Sequence, residues 1–124
     1  MIDLSIFDLE TRAEGGFTVA IHHPSTYKPV GIEIDVYGID SKTAAAAQKR
    51  MASAIADGAD KESAQMVFLA ECTKGWRGIA DSGKEVAFSA DKAAEIYRKY
   101  KAIREQVDVA IAQRSRLFTN EKDA

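Results

Sequence analysis

The chain of 124 residues is poor in the residue types that most enzyme chemistry draws on: it has one cysteine, two histidines, two prolines and one tryptophan. A lone cysteine, Cys72, excludes an internal disulfide and any zinc cage built from several thiolates of one chain. It ends the apolar stretch Met66-Val67-Phe68-Leu69-Ala70-Glu71-Cys72, where a thiol reads as core packing and not as a nucleophile. The two histidines, His22 and His23, are adjacent in an alternating segment, so their side chains diverge to opposite faces instead of converging on a serine or a metal. Neither Gly75-Trp76-Arg77-Gly78 nor Asp81-Ser82-Gly83-Lys84 has the glycine spacing and Lys-Ser/Thr ending of a phosphate-cradling loop. Carboxylates close in sequence, such as Asp81 with Glu85 or Glu105 with Asp108, read as solvated charges. No catalytic residue, cofactor or metal is therefore expected, and the chain reads as a non-enzyme. The longest apolar run, Met66-Val67-Phe68-Leu69-Ala70, is far too short to cross a bilayer, and Met1-Ile2-Asp3-Leu4-Ser5 lacks the basic start of a signal peptide, so a cytoplasmic protein is expected.

What is present suits one α+β domain. Hydrophobic residues make up 46% and charged residues 29%, an ordinary globular balance, and a chain of this length buries roughly two-thirds of its unfolded surface. Residues 1–16 mix acids with Leu4, Ile6, Phe7 and Leu9 and end in two glycines, which predicts a loosely held arm. Phe17, Val19 and Ile21 then alternate with polar positions, as do Ile32, Ile34 and Val36, which predicts an antiparallel hairpin with one apolar face. A hairpin by itself is marginal in water, so a body of four or so helices is expected to cover that face. Asp40 or Ser41 caps the first, with Ala44, Ala47, Met51 and Ile55 inward; Asp60 caps a second, central helix reaching about Lys74 and closed by Gly75. Trp76 to Phe88 reads as an extended excursion around the Asp81-Ser82-Gly83-Lys84 turn. Ser89 caps the last helical stretch, and residues 90–117 fit either one long helix or two packed at an angle. The single domain thus spans 17–118, and 119–124 reads as a disordered tail.

Charge is unevenly distributed. The first 40 residues hold seven acids against Arg12 and Lys28, whereas the whole chain carries only −2, so the remainder is net basic. That asymmetry permits head-to-tail docking of one copy's acidic part on another's helices. The basic residues of the last helices are interleaved with Asp91, Glu95, Glu105 and Asp108, so no nucleic-acid-binding stripe emerges. Candidate partner-binding residues are the amphipathic Trp76, whose ring is first of all suited to burial as an anchor between the helix and the following turn, and the stripe Tyr97, Tyr100, Ile103, Val107, Ile111 and Phe118. Most of that stripe is expected to pack internally, while its distal end, longer than a small domain needs, is left for a subunit contact.

The order of several short elements resembles the tail assembly chaperones of long-tailed, siphovirus-type bacteriophages. They are the hairpin with His23-Pro24 and Pro29 in its connection, Val36-Tyr37-Gly38-Ile39-Asp40-Ser41 leading into a helix, Cys72, Gly75-Trp76, Gly78-Ile79, Phe88-Ser89, and Ile103-Arg104-Glu105-Gln106-Val107-Asp108. The likeness extends over most of residues 17–118. It implies an assembly factor that binds the tape-measure protein, keeps it soluble, helps recruit the major tail (tube) protein, self-associates, and is absent from the mature virion. Members of that family are often made together with a second, longer product of translational frameshifting. The alternative is a structural tail-completion or head-tail connector protein of the particle.

Overall fold

Alternation of apolar and polar residues places Val19, Ile21, Ile34 and Val36 on one buried face of a hairpin between β1 (Phe17–His22) and β2 (Pro29–Val36). A computed structural model describes the protein over residues 1–121. The strands pair antiparallel, Val19 opposite Ile34, and a register shift near Gly31 bends the hairpin toward its turn. The fold is α+β as expected, with five α-helices among the described residues, a three-stranded antiparallel sheet in the order β1–β2–β3 and a separate two-stranded hairpin.

The third strand, β3 (Thr73–Arg77), corrects the sequence reading, which ran the central helix on to Lys74. That helix, α3 (Lys61–Glu71), stops earlier, with Cys72 as its C-terminal cap. The chain reverses there because β2 offers an unpaired edge: Val36 takes Thr73 and Ile34 takes Trp76, while the Tyr37 N–H donates to the Cys72 carbonyl at 2.8 Å. On the solvent face of the sheet, Arg77 bridges Glu33 and Asp35, each at 3.0 Å, and Asp35 also accepts from the Thr18 hydroxyl.

Helix starts obey the expected capping chemistry. Ser41 caps α2 (Lys42–Ala56), Asp60 caps α3 and Ser89 caps α4 (Ala90–Lys99), each side chain accepting from a first-turn N–H. Of the two readings of residues 90–117, the structure bears out two helices, which end at Ala112: the ladder breaks at Tyr100 before α5 (Lys101–Ala112). The break lets α4 pack on α3 while α5 turns to pack on β1. The chain then passes into a 3-10 helix, Arg114–Glu121; residues 119–121 of the expected tail belong to it, and 122–124 lie outside the described residues.

The expected loose arm is also corrected. Leu4–Phe7 is a 3-10 turn and Leu9–Gly15 is a helix, α1, started by Asp3 and Asp8 side chains respectively. Ala13 is fully buried and its carbonyl accepts from the Gly38 N–H at 2.9 Å. A side chain at position 38 would collide with Ala13, so this glycine sets how closely α1 can approach. Glu14 then takes both the N–H and the hydroxyl of Thr43, at 3.0 and 2.7 Å, tying α1 to the start of α2.

The core is continuous from the sheet to the helices: Val19, Ile34, Leu69, Tyr97, Val107 and Ala110 belong to one cluster. Within it the Thr73 hydroxyl meets the Leu69 carbonyl at 2.8 Å and the Tyr97 hydroxyl at 2.7 Å. Replacing Tyr97 by Phe removes one buried hydrogen bond and is expected to lower the unfolding free energy by about 1 kcal/mol. Tyr97→Ala, which also opens a cavity, should cost roughly 3–5 kcal/mol, both read from urea denaturation midpoints at constant m.

Candidate polypeptide-binding groove

Beyond β3 the chain folds back as a flap. Gly78, in a left-handed conformation and pressed on the Gly31 carbonyl, turns it; β4 (Ala80–Asp81) and β5 (Lys84–Glu85) pair around the Ser82-Gly83 turn. Three contacts hold it down. The Trp76 Nε1–H donates to the Val86 carbonyl at 2.8 Å, the Val86 N–H donates to the Ile79 carbonyl at 2.9 Å, and Phe88 meets the Trp76 ring edge-on at 4.9 Å between centroids. Trp76 is thus half-buried and serves as the flap's anchor.

Between the flap and the α4–α5 junction lies a groove of about 240 Å³. Its apolar lining comes from Ile32, Ile79, Val86, Ile96, Tyr100 and Ile103, and its rim from Asp81, Lys92, Glu95 and Lys99. Tyr100 is 41% exposed, with the Lys99 ammonium 5.4 Å from its ring centre. Alternating charges around an apolar floor, with Lys92 and Glu95 paired at 3.5 Å, suit the apolar stripe of a polypeptide flanked by charges of both signs.

The candidate residues divide. Tyr100 and Ile103 share this groove, and Trp76 holds its flap. Phe118 lies elsewhere, half-buried under the Arg12 guanidinium at 4.7 Å, and lines an apolar hollow with Ile6, Phe7 and Leu9. Tyr97, Val107 and Ile111 are corrected: all three are enclosed in the core, Tyr97 because α4 packs on α3 and its hydroxyl meets Thr73, Val107 and Ile111 because α5 turns its stripe onto β1 and not outward. Ile32, Ile79, Val86 and Ile96 went unrecognised as groove residues. Ile32 and Ile96 each occupy an inward-facing position in a periodic segment, indistinguishable in sequence from core, and only the flap's return brings Ile79 and Val86 to them.

The remaining groups with chemical potential are spent locally. Burial pushes the Cys72 thiol up to about 12, beyond useful nucleophilicity. His23 Nδ1 accepts from the Ser25 and Thr26 N–H groups, and His22 Nδ1 lies 2.9 Å from the Ala20 carbonyl. Among the described residues no three His, Cys, Asp or Glu side chains gather as metal ligands, and no helix is long and apolar enough to cross a membrane.

The charge asymmetry between the two parts of the chain is largely answered within it. Asp40 takes Arg114 through both oxygens at 2.6 and 2.9 Å, Glu10 faces Lys42 at 3.6 Å, and Glu33 and Asp35 share Arg77. Hydrogen bonds from Arg114 hold the Asp40 carboxyl below its ordinary 3.8, and those from Thr43 hold Glu14 below 4.5. Burial pushes Asp35 upward, but its bonds to Thr18 and Arg77 outweigh it and the net shift is downward.

Comparison with protein-family models, with curated proteins and with solved structures returned no match.

Two outcomes are expected from this geometry. Carboxyls held below their ordinary values bind protons more weakly when folded, so their stabilisation is complete above those values and is lost as pH falls through the folded ones. Stability should therefore decline on acidification below about 4.5, the ordinary glutamate value. Asp40→Asn should be less stable than the parent near neutral pH, and the gap should close in acid, as read by denaturation across that range. Trp76→Phe should lower stability by about 1 kcal/mol and raise amide exchange at Val86, with the core of α3 still protected.

Proposed function

We propose that this protein is a non-enzymatic tail assembly chaperone of a long-tailed bacteriophage, which binds the tape-measure protein and keeps it soluble until tail-tube subunits displace it. The reading starts from the ordered succession of sequence elements between residues 17 and 118 and is supported by one structural observation above others. That observation is the open apolar groove under the flap, lined by Ile79, Ile96, Tyr100 and Ile103 and rimmed by charges of both signs.

A tape-measure protein is a long helical chain with apolar stripes, which would aggregate if left bare. A groove of this size covers only a few side chains, so any one contact is weak. Many copies on one client act through effective concentration, which gives collective hold with stepwise release. Release matters, because the tube protein must replace the chaperone along the same client. In this reading the protein works in the cytoplasm of the infected host, self-associates, contacts the tape-measure and tube proteins, uses no cofactor or nucleic acid, and is left out of the finished particle.

Co-production with the tape-measure protein tests it. The expected result is a soluble complex, with recovery of client reduced at least about tenfold by Tyr100→Ala combined with Ile103→Asp, since each removes a groove contact worth about 1 kcal/mol or more. Failure of the parent chain to hold the client, together with its presence at fixed copy number in purified virions by mass spectrometry, would favour a tail-completion or connector subunit instead.

A further inference from the structure

The outer edge of β1 is built to accept a strand. β1 lies at the margin of the sheet, with β2 on one side only. His22 aims its main-chain N–H and C=O away from β2, and the Gln106 carboxamide takes both: Oε1 accepts from the N–H at 2.8 Å and Nε2 donates to the C=O at 2.8 Å. The side-chain amide of Gln106 therefore stands where a peptide group of another strand would stand. Alternate residues of a strand direct their main-chain groups the same way, so Ala20 and Thr18 share this orientation, and the exposed His22 ring, whose Nδ1 lies 2.9 Å from the Ala20 carbonyl, has to swing aside for a strand to pair there. Along the edge runs a trough of about 570 Å³ between β1 and α5, bordered by Ala20, Tyr27, Ala102 and Val109. Tyr27 and Val109 are apolar yet 77% and 57% exposed.

The occupant that fits is the same edge of a second copy. Antiparallel pairing centred on Ala20 places that small residue against its own counterpart and Thr18 of each copy against His22 of the other, with no bulky side chain at the two-fold axis. The ends of the trough carry opposite charge. Arg116 stands at the Phe17 end, 5.9 Å from that ring, and Glu105 adjoins Gln106 at the His22 end. Reversing one copy on the other sets each Arg116 toward the second copy's Glu105, the self-complementarity that a two-fold interface demands.

We propose that β1 is a dimerisation edge: two copies join antiparallel into one continuous six-stranded sheet, and Gln106 is the placeholder that closes the edge in the monomer. The trough shares no lining residue with the groove under the flap, so a dimer would present two open grooves. The inference stands apart from the identity of the client.

Sedimentation velocity on the full chain over a concentration series tests it. The parent should show a concentration-dependent monomer–dimer equilibrium. Gln106→Ala should tighten it by roughly fivefold to tenfold, because the His22 groups are then left for the second copy. Ala20→Pro, which deletes an outward N–H and no bond to β2, should weaken it at least about tenfold with an unchanged circular dichroism spectrum. If that variant does not fold, Glu105→Arg should weaken the dimer and adding Arg116→Glu should restore it. A chain that stays monomeric both as parent and as Gln106→Ala overturns the proposal. So does a dimer that ignores Ala20→Pro and the Glu105 reversal, or an edge that takes an extended peptide but never its own copy.

Discussion

The corner at Cys72 and Thr73 is the constraint on which the rest of the fold depends. There the central helix stops, the third strand begins, the end of β2 is fastened through the Tyr37 N–H, and Tyr97 of α4 is fixed to the Thr73 hydroxyl. The Tyr97 hydroxyl is satisfied without water, and burial holds it neutral by pushing its pKa up to about 12, partly offset by Thr73. Because α4 is pinned at this corner close to its C-terminal end, the α4–α5 junction is held opposite Ile32 of β2 and the flap, and the groove forms between them. If α3 ran on to Gly75, as its apolar run allows, there would be no third strand, no Trp76 on a sheet edge and nothing for the flap to fold against.

Electrostatics play a different part, closing the ends of the chain onto its middle. Asp40 with Arg114 joins the start of α2 to the last turn, Glu14 with Thr43 joins α1 to α2, and Lys74 donates to the Gly15 carbonyl at 2.9 Å. Exposed ion pairs are individually worth little. Here they select an arrangement: once the N-terminal acids have partners within the chain, their capacity to recruit a second copy is reduced, which is why the dimer proposed above is placed on the main-chain edge of β1 and not on these charges.

Local chemistry was legible in the sequence, and long-range pairing was not. The hairpin, the caps at Ser41, Asp60 and Ser89 and the inward Ala44 and Ala47 follow from period and hydrogen-bonding capacity, which act over a few residues. β3 escaped because Thr73-Lys74-Gly75-Trp76-Arg77 is too short to display an alternation and comes directly after a helical run; its strand character comes from β2, far away in sequence. The sequence admits the break at Tyr100 without requiring it, because neither glycine nor proline marks it, and packing of α5 on β1 decides it. The enclosure of Tyr97 by α3 and of Val107 and Ile111 by β1 was hidden for a related reason, since an amphipathic stripe states that one face is covered without stating by what. Of the apolar groove residues, Tyr100 and Ile103 were within reach; Ile32 and Ile96 read as core, and Ile79 and Val86 depended on where the flap lands.

That the groove is covered by a flap, and not by a helix, bears on what it can do. A two-stranded hairpin of this size has little stability of its own, so its position depends on Trp76, Phe88 and the Val86 main chain. Such a cover yields at small free-energy cost, and local opening of this kind draws on the least stable part of a structure while the core stays folded. The Cys72–Thr73 corner anchors β3 and α4 independently of the flap, so displacing the flap would enlarge the apolar floor without loosening its walls. A rigid floor under a yielding cover admits apolar side chains of differing size, and the cover's return favours their release. For the proposed role of holding a long, repetitive client and later surrendering it, weak adaptable contact is a more suitable property than tight complementarity to one sequence.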